Sequence, residues 1–347
     1  MSLLRLPSSP PYLDLVNSSN GMPWLCYRVP TSSPAEPGRL RLGCRPDMRA
    51  GYTFLSYPNY EEYDLFDDKK IAARSDVGPA LCAFQKRLWV FWRDELTGAV
   101  TYNRTDGQFK GWFDKSKIVS RFTTNMSPSV YALEDLLYVV WCYDKDPKGD
   151  QKYIVCLATI DKKGVSTGDP STPLRIFNPD SEDQYLTSRY TPRLNAPNDR
   201  LKIFWGESDN DEDKIGVAFL QPPKTGDNTP ADCKFRVVPY LASKSFYIDG
   251  GAYTSEIGNT AVDRLGNEWL FTVNNDNQVS LAMDPQLSLR YNLGKLSSYP
   301  FKTDVEVAAC MMPGCPGKKW GTPWRILVIW KEAGNNNLRE NYLEIVQ

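Results

Sequence analysis

Short apolar blocks of strand length, separated by polar turn residues, run along this chain. Residues 78–92, GPALCAFQKRLWVFW, hold a turn-like Gly-Pro, an apolar run, a polar break at Gln85 and Lys86, and a second apolar run ending at Trp92. Residues 127–141, SPSVYALEDLLYVVW, and 191–205, TPRLNAPNDRLKIFW, repeat the design. In all three a small residue and Pro come first, and Trp follows Pro by 13 positions: Pro79 to Trp92, Pro128 to Trp141, Pro192 to Trp205. A fourth copy, GNTAVDRLGNEWLFT, has Asn259 in place of Pro and Thr272 in place of Trp. Two looser copies run from Pro11 to Tyr27 and from Val305 to Trp330, the last with an insertion between its two strands.

The unit therefore recurs about six times, beginning near residues 11, 78, 127, 191, 258 and 306. In each well-kept copy two more strand-like runs follow, such as AVTYNRT (99–105) and GWFDKSKIV (111–119). A four-stranded sheet with two apolar faces cannot bury both alone, whereas stacking on neighbours around a ring buries them. The expected fold is all-β: one six-bladed β-propeller domain, residues 1–347, of four-stranded antiparallel blades. A five-bladed ring with the first copy as an appendage is the runner-up. The last copy has room for three strands, so the segment near Leu3 to Leu6 is expected to supply the fourth and close the ring. Trp92, Trp141, Trp205 and Trp330 are expected between blades as packing residues.

Composition narrows the chemistry. The 347 residues carry 41 Lys and Arg against 42 Asp and Glu, with no broad basic field, so neither nucleic acid nor an anionic membrane is an expected partner. No uninterrupted apolar run is long enough to span a bilayer. His is absent. That excludes Ser-His-Asp and Cys-His catalysis and His-ligated metal, and leaves acid–base work to Asp, Glu, Tyr, Lys or Cys. No zinc-type Cys pairs, Walker loop or Rossmann glycine pattern occurs, so no metal or cofactor is expected. Eight Cys and the sequons at Asn17, Asn103 and Asn125 favour a secretory or extracellular route if a leader has been removed, with N-glycans at Asn17 and Asn103; otherwise the chain is cytoplasmic. The local disulfide candidates are Cys310 with Cys315 and Cys142 with Cys156; buried free thiols are the alternative.

In a propeller the connections into each inner strand and the turns after each second strand open on one face, where ligands bind. That geometry nominates Arg74, Asp76, Thr124, Asn125, Arg189, Tyr190, Glu256 and Asp304 before inner strands. It nominates Arg93, Asp94, Tyr143, Glu207, Asn274, Lys331 and Glu332 after second strands. Tyr253 follows the Gly250-Gly251 pair at a funnel mouth. For the charged residues, an ion pair between blades is the structural alternative to a ligand contact.

The repeat architecture resembles fungal six-bladed propellers related to fucose-specific lectins. In that family each blade repeats an Arg, a Glu and an aromatic residue, which implies several like sugar sites between blades. The triplet does not recur here: Arg93, Cys142, Gly206, Val273 and Lys331 occupy the position after the second-strand aromatic. A repeated core under an unrepeated rim suits one asymmetric pocket better than multivalent binding. It resembles the fungal hetero-Diels–Alderases of tropolone–sesquiterpenoid (meroterpenoid) pathways, lectin-like propellers that join a tropolone-type ortho-quinone methide to a humulene-type alkene without a cofactor. That resemblance implies Arg189, Tyr190 and Arg74 as catalytic groups. Arg189 or Arg74 would bind the quinone methide oxygen, and Tyr190 or Tyr253 would donate a hydrogen bond. It implies Asn125, Tyr253, Glu256, Tyr143, Asp304 and Lys331 around a small apolar or aromatic substrate. The expected function is this cycloaddition, with carbohydrate binding at the rim, as by a fucose-type lectin, as the alternative.

Overall fold

A computed structural model describes residues 12–13, 22–28, 38–44, 61–64, 73–105 except 86, 115–143, 153–209 except 168–169, 173, 182–183 and 197–198, 212–239 except 225 and 227, 257–262, 268–273, 279–283, 289–292, 307–312, 324–331 and 338–345. They form six successive antiparallel sheets, the blades of a β-propeller. The first blade holds Tyr12–Leu13, Met22–Arg28, Gly38–Cys44 and Glu61–Asp64. The second holds Ala80–Phe84, Arg87–Arg93, Ala99–Arg104 and Lys117–Thr123. In the third, Ser129–Leu133, Leu136–Tyr143 and Tyr153–Asp161 are followed by the short outer strand Arg175–Phe177. The fourth comprises Arg193–Asn195, Lys202–Asp209, Glu212–Gln221 and Cys233–Pro239. Ile257–Val262, Glu268–Val273, Val279–Met283 and Leu289–Asn292 make the fifth. The sixth has Ala308–Met312, Trp324–Lys331 and Leu338–Ile345.

Inner strands meet inner strands around a ring: second with third, third with fourth, fourth with fifth, fifth with sixth, and sixth with first. Leu3 to Leu6, expected to complete the last blade, lie outside the described residues. The outer edges of the third and fourth blades are also joined, Arg175–Phe177 running parallel to Cys233–Pro239. The first hairpins of the second and third blades turn through Gln85 (φ 51°) and Glu134 (φ 54°) at the same repeat position.

The core lies between blades, and the repeat dictates it residue by residue. Leu81, Leu88, Val90 and Trp92 pack against Cys26, Leu40 and Leu42 of the first blade. Val130, Leu137, Val139 and Trp141, at the same offsets from Pro128, pack against the second blade's Cys82, Trp89, Phe91 and Tyr102. Leu194, Leu201, Ile203 and Trp205 repeat the arrangement against Val140, Cys142, Val155 and Leu157 of the third. Each repeated Trp thus faces the preceding blade, 1–7% exposed. Facing aromatics add geometry to area: Tyr102 stacks on Phe91 at 5.5 Å, with Trp89 at 6.1 Å on its other side.

Two expectations from sequence change here. Cys142 stands opposite Val155, while Cys156 stands opposite Trp141. Directly opposed residues share a sheet face, so the one-residue offset sends the two thiols to opposite faces. Cys142 points into the core shared with the fourth blade and Cys156 into that shared with the second. They form no disulfide, and Cys26, Cys82 and Cys233 are likewise buried and in no disulfide. Burial drives the thiols of Cys82 and Cys156 up to about 12. Cys315, the partner expected for Cys310, lies outside the described residues. Asn103 is 2% exposed in the second blade. Its Nδ2 donates to Ser116 Oγ at 3.3 Å and its Oδ1 accepts from Arg104 N–H at 2.7 Å, which leaves no path for a glycan in this fold. Asn17 lies outside the described residues.

Candidate functional site

The ends of the second strands and the connections into the next inner strands gather on one face of the ring, at the mouths of the inter-blade clefts. A shared device holds each connection in place. Four residues ahead of Pro79, Pro128 and Pro192 stand Ser75, Thr124 and Ser188, all buried at 0–1% exposure. Each hydroxyl accepts the N–H two residues on: Val77 at 3.3 Å, Met126 at 3.1 Å and Tyr190 at 3.3 Å. This turn fixes the backbone immediately before the inner strand. Ser255 holds the same offset from Asn259. Of the three only Thr124 is nominated by the sequence, as a mouth residue, although all three share the regular offset.

At the mouth between the second and third blades, Arg93 acts as a clasp. Its Nη1 lies 2.7 Å from Asp76 Oδ1, and its Nε donates to the Thr124 carbonyl in the following connection. The 94–98 turn is held by Asp94, whose Oδ1 accepts from the N–H groups of Leu96 at 3.2 Å and Thr97 at 2.9 Å. Gly98 closes the turn at φ 66°, and its carbonyl accepts the Thr124 N–H at 3.0 Å. Arg74 pairs loosely with Glu95 at 3.9 Å, its side chain 41% exposed. Asn125 is exposed. Tyr143 is half-buried, edge-on to Phe122 with centroids 4.8 Å apart.

The next mouth, between the third and fourth blades, carries Arg189 and Tyr190. Ser188 Oγ is the hub: it accepts the Gly206 N–H at 3.0 Å and donates to the Tyr190 carbonyl at 2.6 Å. The Arg189 N–H donates to the Gly206 carbonyl at 3.2 Å. The Tyr190 ring turns its Cδ2 edge to Gly206, where a Cβ would come within 2.2 Å of Cδ2. Cys142 Sγ approaches the Tyr190 carbonyl at 3.8 Å from the third blade. At this rim position Arg93 and Cys142 each meet the backbone of the connection into the following blade, whereas Gly206 meets the connection into its own.

The sequence-nominated residues divide among these mouths. Arg189 and Tyr190 sit together. Arg74 belongs to the connection into the second blade, two blades away, its strand Arg74–Ser75 paired with Gly38 and Arg39. Asn125 and Tyr143 flank the second and third blades. Lys331 ends the second strand of the sixth blade. Tyr253, Glu256 and Asp304 lie outside the described residues. Among the described residues no cluster of three or more Cys, Asp or Glu stands close enough to hold a metal ion, and no helix is long and apolar enough to cross a membrane. What the mouths offer is guanidinium, amide and phenol groups beside aromatic rings, on backbone fixed by buried hydroxyls.

No protein-family model matches the chain, and no curated protein matches it. Solved structures do. An arginine-to-alanine mutant of AofleA from Arthrobotrys oligospora superposes with a TM-score of 0.58 at 8% identity, covering 99% of this chain and 84% of that one. The lectin of Aleuria aurantia, described as a fungal lectin with a six-bladed β-propeller fold and a novel fucose recognition mode, gives 0.53 at 10% identity, over 98% and 91%. The resemblance to lectin-like propellers expected from the repeat thus holds for the fold over nearly the whole chain.

Proposed function

We propose that this chain is a carbohydrate-binding propeller of lectin type, with its sites at the mouths of inter-blade clefts. The observation that carries the reading is the pairing of half-buried aromatic rings with planar hydrogen-bonding groups at successive mouths: Tyr143 and Phe122 near Asn125, and Tyr190 with Arg189. Sugars present apolar ring faces and a rim of hydroxyls, and such sets match both. The fold shared with fungal lectins supports the reading by analogy. Because the rim differs from blade to blade, the number of sites per chain is smaller than the number of blades, and a fucose-type ligand is taken by a subset of mouths. A glycan array followed by calorimetric titration tests this. Binding of a simple sugar, lost at one mouth on Tyr190→Ala and at the other on Tyr143→Ala, is the expected result; no glycan bound at millimolar concentration refutes it.

A second reading has its own support in the singular Arg189–Tyr190 pair, whose ring is seated on a glycine, among rims that do not repeat. On this reading the mouth between the third and fourth blades is one pocket for a cofactor-independent hetero-Diels–Alder cycloaddition. Tyr190 or Arg189 would hydrogen-bond a quinone methide oxygen as negative charge develops on it. Incubation with a quinone methide precursor and a humulene-type alkene should then raise the yield of one stereoisomer. An unchanged yield over buffer removes this reading and leaves the first.

A further inference from the structure

The inner strands of neighbouring blades are stitched together by side chains that meet the edge of the next strand. Ser129 Oγ, in the third blade, accepts the N–H of Leu194 in the fourth at 3.4 Å. Two residues on, the Tyr131 hydroxyl bonds the Ala196 backbone. One blade earlier the Cys82 thiol, at the repeat position of Tyr131, bonds the backbone of Ala132, at the repeat position of Ala196. The stitching is regular: alternate side chains of one inner strand face alternate backbone groups of the next, and a step along one is a step along the other.

Toward the mouth face the next stitch fails. The side chain before Ser129 in the alternation is Ser127, and the backbone group before Leu194 belongs to Pro192, which has no N–H to give. Ser127 is 1% exposed, and its Oγ is buried without a hydrogen-bond partner. The pattern recurs one blade on. Thr191 holds the repeat position of Ser127, is 1% exposed, and its Oγ1 is likewise buried without a partner. Its strand meets the inner strand of the fifth blade, Ile257–Val262, whose register shifts between Ile257 and Thr260. Asn259, at the repeat position of Pro192, therefore falls out of the regular ladder. In the second blade the same position is Gly78, with no hydroxyl to satisfy. A buried hydroxyl left unbonded bears its full desolvation cost, and native proteins rarely leave one so. Here two stand at one repeat position, each where the next strand has lost its regular donor.

We propose that Ser127 and Thr191 each hold an ordered water between inner strands, on the mouth side of the ring, in place of the regular backbone donor. Water suits the position because it donates to the hydroxyl oxygen, as the lost N–H would, and bridges to a carbonyl of the strand edge with its second hydrogen. The inner edge borders the central channel, which supplies it. The two waters give the third and fourth blades a fixed polar contact, close in the chain to Asn125 and Tyr190, that the second blade lacks. They stand whether or not sugar binds at the mouths.

The test is a crystal structure of the full chain at a resolution that shows waters, paired with urea unfolding. One water should lie within hydrogen-bond reach of Ser127 Oγ and another at Thr191 Oγ1. Pro192→Ala restores the missing N–H, which should bond Ser127 Oγ directly and expel that water while leaving the one at Thr191. In unfolding, Ser127→Ala should lower the midpoint by about 0.3 M, because a satisfied hydroxyl is lost; removal of an unsatisfied one would raise it. Thr191→Val, close in shape, should act the same way, and it carries the stability arm where Ser127→Ala fails to fold. Either hydroxyl found without a water, a midpoint that rises or stays put in either variant, or a Ser127 water that survives in Pro192→Ala overturns the proposal.

Discussion

Replacing Gly206 by Ala tests the seat under Tyr190. A Cβ at this position lies 2.2 Å from Tyr190 Cδ2 and 3.1 Å from both Cγ and Cε2, where ordinary contact begins near 3.4 Å. The clash falls on the Cδ2 edge, next to the ring's attachment at Cγ, and not on the far end of a flexible chain that could swing away. Nor is the backbone free to retreat: Ser188 Oγ holds Tyr190 through its N–H and its carbonyl, and Arg189 N–H is bound to the Gly206 carbonyl. Either the ring leaves its place or the end of the second strand parts from the connection. Overpacking of this kind costs about 1–3 kcal/mol. In urea unfolding the midpoint should fall by about 0.5–1 M with an unchanged slope. The decisive arm is a double-mutant cycle. In a Tyr190→Ala background nothing opposes the new methyl, so Gly206→Ala should become nearly neutral, a coupling of about 1–2 kcal/mol of the relieving sign. Sugar binding at this mouth should weaken in Gly206→Ala and stay intact at the mouth beside Tyr143. Strict additivity, or a Gly206→Ala protein as stable as the parent, refutes the seat.

Other outcomes follow from the same geometry. Trp141 is 1% exposed with no partner for its indole N–H, so Trp141→Phe should cost much less than Trp141→Ala, for which chemical denaturation should read about 3–5 kcal/mol. Arg93→Lys keeps the charge but not the two-directional grip on Asp76 and the Thr124 carbonyl, and should lower stability by about 1 kcal/mol in the same assay. The raised thiols of Cys82 and Cys156 set an alkaline limit. Below pH 9 both folded and unfolded thiols keep their protons; between 9 and about 12 only the unfolded chain releases them, so stability falls as pH rises. Cys82→Ala should flatten that slope in unfolding measured from pH 8 to 11. Both thiols should resist alkylation at pH 8 until denaturant is added, read by peptide mass spectrometry.

The propeller was legible because its core is periodic. Leu81, Val130 and Leu194, then Trp92, Trp141 and Trp205, fall at fixed offsets from Pro, and a fixed offset on alternating strands sends each side chain to the same face. The turn hydroxyls Ser75, Thr124 and Ser188 obey the same spacing and were equally readable. The fourth blade's stretch, TPRLNAPNDRLKIFW, openly sets Arg193, Asn195 and Lys202 where the second blade has Ala80, Cys82 and Trp89. The candidate site was legible only as a set of loop positions. Arg189 and Tyr190 stand at one mouth, whereas Arg74 belongs to a different one.

By itself the sequence determined the all-β class, the repeating blade and the residues that fill the space between blades, because burial follows local periodicity. Only the tertiary structure decided which blade face each residue meets and which partners cross from one blade to the next. Cys142 and Cys156 are near in sequence and stand on neighbouring strands, yet a one-residue offset in register puts them on opposite sides of the sheet. Arg93 became a clasp because the connection into the following blade arrives against it, and Gly206 a seat because the connection into its own blade folds back on it. Those encounters depend on ring closure and strand register, which sum contributions from the whole chain and are written in no single segment.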